Sequence, residues 1–221
     1  MLRERIGEVE ARIQAAAARA GRRREEITLV AVTKTLPGSV IPEAYALGLR
    51  DFGENYVQEF EAKAPAAGLA GARFHLIGHL QSNKSARAAQ LFDVIQTVDS
   101  ERLARRLNDA PRAGAAPLEV MIEVKLSAEQ AKSGASPEEL AALIDALSRL
   151  PNLRLTGLMT MPPWSDDPET SRPFFQRLRA LAARFGLPHL SMGMSHDLEV
   201  AIQEGASMVR VGTALFGSRN P

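Results

Sequence analysis

Cysteine is absent from the 221 residues. That excludes disulfides, thiolate metal sites and a cysteine nucleophile, and it suits a reducing compartment. An excess of one charge is lacking too. Lys plus Arg number 27 and Asp plus Glu 26, so no overall field draws nucleic acid or an anionic membrane. No apolar run approaches the ~18 residues needed to span a bilayer. The opening MLRERIGEVE has no apolar core of a secretory signal, so a cytoplasmic protein is expected. The missing motifs narrow the chemistry further. His75, His79, His189 and His196 contain no HExxH; each reads as a packed or loop histidine, and no metal is expected. There is no GxSxG elbow and no P-loop, and no GxGxxG follows the first strand. The only tryptophan, Trp164 in PPWSDDP, reads as loop packing in preference to ligand stacking.

What is present starts from Ile27 to Lys34, ITLVAVTK. Its β-branched, two-sided apolar character suits a parallel strand covered on both faces. Lys34 stands at its exit, the end where α/β proteins place their chemistry. An amine rooted in such a wall can lose its proton and form a Schiff base; alternatively it snorkels to water. Ahead of this strand, Leu2, Ile6, Val9, Ile13, Ala17 and Ala20 mark an amphipathic helix stopped by Gly21. Arg22–Arg24 reads as a solvated connector.

Beyond Lys34 the pattern alternates. Strands are expected at 50–53, 74–78, 94–98, 118–126, 153–160, 189–194 and 208–212. Helices are expected at 39–48, 55–67, 82–91, 100–109, 136–150, 169–185 and 197–204, with Ser100 as a cap and SPEEL as a capping box. Eight strands joined by right-handed crossovers close naturally into a single α/β domain over residues 1–221, a (β/α)8 TIM-type barrel with an extra N-terminal helix. An open doubly wound sheet is the alternative.

The strand exits of a barrel converge on one mouth. Barrels commonly hold phosphate after strands seven and eight. Here Ser191, Gly193 and Ser195 follow one, and Gly212-Thr213 the other, offering hydroxyls and N–H groups at a final helical turn. Alternatively Ser195 only caps the following helix and Gly212 is a tight turn. Arg210, two residues before Gly212, points either inward as a buried cation needing a partner or outward as an ordinary ion-pair residue.

The segments VTKT, FGENYVQE, FHLIGHLQSNK, KSG, RLTGLMTMPP, SMGMSHDLE and MVRVGTALFG resemble the signature segments of the pyridoxal 5′-phosphate (PLP) homeostasis proteins, in order from about Val30 to Gly217. That family is similar in fold to the N-terminal barrel of alanine racemase. The resemblance implies an internal aldimine between PLP and Lys34. It implies a phosphate held by Ser195, Gly212 and Thr213, with Asn55 and Met194 lining the site and Arg210 facing the pyridine nitrogen. Two positions depart from the pattern. Leu36 stands where many relatives have a second lysine, and Lys125 where asparagine is common; Lys132 is a further lysine near the rim.

Racemases of this barrel type take a second base from an added β domain, for which a chain ending at Pro221 has no room. An arginine against the ring nitrogen would keep it unprotonated and weaken the electron sink. The expectation is therefore a monomeric PLP carrier with no catalytic residues, serving PLP homeostasis and possible PLP-dependent apo-enzymes, with no nucleic-acid or membrane partner. The alternative is a fold-type III racemase or decarboxylase. A class I aldolase-like barrel would place its lysine on strand six, where LRLTGLMT has none.

Overall fold

The computed structural model describes residues 1–63, 68–112, 116–127 and 133–217. The chain opens on α1 (Leu2–Arg19), whose Val9, Ile13, Ala16 and Ala17 are buried at helical spacing. Eight strands follow: β1 (Thr28–Val32), β2 (Asp51–Glu54), β3 (Arg73–Leu76), β4 (Val94–Val98), β5 (Leu118–Glu123), β6 (Leu153–Met159), β7 (His189–Met194) and β8 (Met208–Val211). They alternate with α2 (Val40–Ala46), α3 (Val57–Lys63), α4 (Ser85–Leu91), α5 (Glu101–Asn108), α6 (Leu140–Ser148), α7 (Arg172–Phe185) and α8 (Leu198–Gln203), and a last turn, α9, spans Thr213–Phe216. Among the described residues no helix is long and apolar enough to cross a membrane.

The strands pair in sequence order, all parallel, and β8 returns to β1 with Val30 opposite Arg210. The result is a closed barrel, the architecture expected from the alternating pattern. Period-two alternation divides the side chains into two layers. Leu29, Ala31, Val209 and Val211 join the large apolar cluster beneath the helices. Val30, Met121 and Met208 form a separate small cluster. A barrel interior is ordinarily filled by branched aliphatic side chains. Here His75, Gln96, Ser191 and Arg210 are buried and bonded to one another between strands.

The boundaries differ from expectation where local chemistry intervenes. Ser136–Glu139 forms a turn ahead of α6, not its first helical turn, because Ala135 still bridges Val124 in extended conformation. Half of the expected capping box is present: Ser136 N–H donates to Glu139 Oε2 at 2.8 Å. Ser100 does cap α5, accepting from Leu103 N–H at 3.4 Å. β5 stops at Glu123, so Lys125 lies in the following loop, its N–H on the Ala135 carbonyl. The helices expected at 82–91 and 169–185 each begin with a 3-10 turn. The helix expected over 55–67 is described to Lys63; Ala64–Ala67 and Lys132 lie outside the described residues.

Candidate functional site

Lys34, Asn55, Met194, Ser195, Arg210, Gly212 and Thr213 line one cavity of about 270 Å³ at the carboxyl ends of the strands, with Val32, Ile77, Met161, Trp164 and His196. Seven residues chosen from separate strand exits thus meet around one space. Lys125 is half-buried and not among these lining residues.

Lys34 follows β1 by two residues and is half-buried. The turn carrying it is held on both sides. Thr33 is buried and donates its hydroxyl to Glu54 Oε1 at 2.7 Å, while its carbonyl accepts from Lys63 Nζ at 2.8 Å. On the other side the Thr35 N–H donates to Glu59 Oε1. Lys63 Nζ closes the clamp, donating to Glu54 Oε1 at 2.9 Å and Glu59 Oε1 at 2.6 Å. Burial of Glu54 pushes its carboxyl above the usual carboxylate range, against the opposing pull of the Thr33 hydroxyl and the Lys63 ammonium. Thr35 has φ +61, a conformation that a β-branched residue rarely adopts without outside support. The clamp supplies that support, and it aims the intervening Lys34 into the cavity wall.

On the opposite side, Gly193 turns the end of β7. Its φ is +91, and a Cβ there would sit 2.5 Å from Ala201 Cβ, so glycine is required on both counts. The register slips between Ser191 and Met194, which brings Met194 opposite Arg210. Ser195 Oγ then accepts from the Gly212 and Ala214 N–H groups, each at 3.3 Å. The hydroxyl thus bridges to the exit of β8 and does not cap α8. Asp197 serves its own turn by accepting from Met194 N–H at 2.7 Å. The Ser195 hydroxyl, its oxygen anchored by those two N–H groups, and Thr213 form a rim of uncharged donors suited to an anion.

Arg210 points inward. It is buried, donating Nη1 to Ser191 Oγ at 2.6 Å and Nη2 to the Thr160 carbonyl at 2.9 Å. Its direct partners are therefore a hydroxyl and a carbonyl. Burial pushes its guanidinium down to about 10, with Asp197 and Glu123 pulling the other way. It stays a cation at neutral pH. Glu123 is buried nearby and accepts from Ser133 Oγ at 3.1 Å. Burial raises its carboxyl, and the Ser133 hydroxyl and the Arg210 charge offset this only in part.

Comparison with known proteins follows the same lines. A family model described as alanine racemase, N-terminal domain, matches residues 6–220. The pyridoxal phosphate homeostasis protein of Pseudomonas aeruginosa is 47% identical over 98% of this chain and 95% of its own length. This chain belongs to the pyridoxal phosphate homeostasis protein family. The Escherichia coli K12 member is also 47% identical, over 97% of this chain and 95% of its own. Among solved structures, PipY of Synechococcus elongatus PCC7942 without PLP superposes with a TM-score of 0.85 at 35% identity, covering 98% of this chain and all of PipY. The PLP-bound form of PipY gives 0.84 over the same lengths. Alanine racemase from Corynebacterium glutamicum, at 23% identity, shares the fold, with a TM-score of 0.69 over 96% of this chain and 61% of the racemase.

In this family member five cavity residues were not assigned to the site by the sequence reading, Trp164 and His196 among them. Trp164 does not pack into its loop: it is 71% exposed at the cavity rim, its ring centroid 4.8 Å from that of His196. His196 in turn lines the cavity, with Nε2 buried and unbonded among the described residues. Trp164 and His196 lie 32 positions apart in sequence, so only barrel closure brings them together. Glu54, Glu59 and Lys63 were also missed. FGENYVQEFEAK does show three acids and a lysine at β2–α3, and Glu59–Lys63 at i,i+4 was the available signal.

Proposed function

We propose that Lys34, Asn55, Met194, Ser195, Arg210, Gly212 and Thr213 form the PLP site of this chain. The protein binds PLP and serves PLP homeostasis, as its relatives' names and the PLP-bound neighbour support. The observation that carries the reading is the meeting of these seven residues around one cavity.

The residues present fit the cofactor. The cavity, about 270 Å³, lies near the lower end of ligand pockets and suits one small ring with a phosphate arm. Uncharged donors stand at the β7 and β8 exits for the phosphate. The buried Nε2 of His196, without a partner among the described residues, adds one polar atom in the lining. When bound, PLP supplies an aldehyde that condenses with a primary amine, releasing one water, and a ring that delocalises an electron pair. Lys34 supplies the amine. Asn55, Met194 and Ile77 exclude water and orient the ring. Arg210, a cation at neutral pH, would offer its N–H donors to the ring nitrogen; a cation there would disfavour protonation of that nitrogen and keep the electron sink weak.

That weakness supports holding over turnover, and we read the chain as a carrier without robust catalysis. We place it in the cytoplasm as a single-domain monomer that yields its cofactor to PLP-dependent apo-enzymes. Met1, Tyr56 and Trp164 are the large hydrophobic residues exposed among the described ones, few enough to be in keeping with a monomer. The test is to load the protein with PLP, reduce with borohydride and map the peptides. Label on Lys34 is expected; label on another lysine, or none, overturns the assignment. Incubation of the loaded protein with amino acids in deuterated buffer should give no α-proton exchange.

A further inference from the structure

The most unusual feature outside the cofactor pocket is a line of buried polar side chains through the barrel. Asp51 Oδ1 on β2 lies 2.8 Å from His75 Nε2 on β3. His75 Nδ1 lies 3.0 Å from Gln96 Nε2 on β4. Gln96 Oε1 then crosses the interior to accept from Ser191 Oγ on β7 at 2.6 Å, and Ser191 Oγ accepts from Arg210 Nη1 on β8 at 2.6 Å. His75, Gln96 and Ser191 are each fully buried, and only Asp51 reaches solvent.

The donors run in one direction. Arginine only donates, so Ser191 Oγ must accept and its own hydrogen goes to Gln96 Oε1. That fixes the Gln96 amide with its nitrogen toward His75, whose Nδ1 must be bare. The imidazole hydrogen therefore sits on Nε2, directed at the Asp51 carboxylate. Turning the Gln96 amide over would leave Ser191 with two donors aimed at it and no acceptor for its hydrogen. One arrangement satisfies every member. Aliphatic side chains would fill the space without this requirement, and a half-satisfied network is worse than none.

We propose that Ser191, Gln96, His75 and Asp51 are positioning residues that lock the Arg210 guanidinium in the orientation it needs toward the ring nitrogen of PLP. The inference rests on the PLP reading above. The carbonyl of Thr160 fixes Nη2, the chain fixes Nη1, and the guanidinium plane is thereby set from two sides. A cation so placed disfavours protonation elsewhere on the bound cofactor; a loosened one does so less.

Gln96→Met keeps the volume and removes the crossing bonds, and Ser191→Ala removes one Arg210 partner. In PLP-loaded protein, both should raise the pH midpoint of the visible absorbance by about half a unit and weaken PLP binding about 10-fold. Borohydride label should remain on Lys34. Both variants folding with unchanged midpoint and affinity would overturn the proposal. Side-chain nitrogen NMR of the parent without PLP needs no variant: His75 should show hydrogen on Nε2 and a bare Nδ1, and the opposite tautomer overturns the chain. Failure of Lys34 labelling in the parent would instead count against the PLP reading and leave the tautomer result standing.

Discussion

At the scale of single residues, the cavity's neighbours are arranged at some cost to stability. Glu123 shows this best, because its carboxyl is held above its ordinary value by burial. The native state therefore binds that proton more tightly than the unfolded chain does. Its contribution is favourable at low pH and is lost as pH rises through the folded-state value. Glu123→Gln keeps an acceptor for the Ser133 hydroxyl and removes the titration. The variant should match the parent in denaturant melts near pH 4 and exceed it near pH 8, by about 1.4 kcal/mol for each unit of displacement. Equal stability at both pH values would show that the ionised carboxylate is fully compensated by Arg210. At Lys34 the opposite dissociation is expected: Lys34→Ala should abolish the visible band of added PLP and leave the thermal midpoint of the unloaded protein nearly unchanged, since the half-buried amine contributes little to the core.

At the scale of elements, the site depends on turns that fit only one sequence. Gly78, just after β3, lets the Asn55 backbone approach so closely that an added Cβ would lie 2.3 Å from the Asn55 carbonyl oxygen. Gly78→Ala must push the turn after β2 aside, and with it a residue of the cavity wall. The expected result is a loss of stability of about 1–3 kcal/mol and weaker PLP binding, read by urea titration and by absorbance. The clamp around Lys34 gives a second test. Lys63→Met leaves Glu54 buried without its cation, a loss of about 3 kcal/mol at neutral pH. The deficit should shrink by pH 5, because burial already favours protonated Glu54. A deficit independent of pH would mean that Glu54 is neutral in the parent.

These same elements show what was legible in the sequence. Strand runs such as β4 and β7 were readable to the residue because each is short and bounded by turn chemistry. Lys34, Ser195, Gly212 and Thr213 were readable because barrels expose their chemistry at strand exits. The Arg210 partners, the Trp164–His196 contact and the polar chain from Asp51 were not. Those pairings join strands and loops that meet only when the sheet closes, and alternation along one strand says which face a residue takes but not what it meets there. Gln96 stands beside Thr97 in VIQTV with nothing to mark it, and its role appears only across the barrel from Ser191.

At the scale of the whole molecule, the cavity sits on the seam of the barrel. Lys34 leaves β1, the first strand, whereas Arg210, Gly212 and Thr213 belong to β8 and its exit, the last. β1 and β8 are joined by backbone pairing from Thr28–Met208 to Ala31–Val211, and α1 packs outside that joint against α8 and α9. A ligand attached to Lys34 and held by the β7–β8 rim would tie the two ends of the chain together, so its binding energy should be felt by global unfolding and not by one loop. Mass action then sets the size of the effect. At a PLP concentration of 100 times Kd the native state gains about 2.7 kcal/mol, which for a domain of this length raises the midpoint by about 5–10 °C. Lys34→Ala should retain only the smaller shift due to the phosphate rim at the same concentration, and Thr213→Val should need more PLP to reach the parent's shift. The measurement is a thermal melt monitored at the backbone while absorbance reports loading. Full loading with no rise in midpoint would mean that the unfolded chain binds PLP as tightly as the native state, against a site that needs the closed barrel.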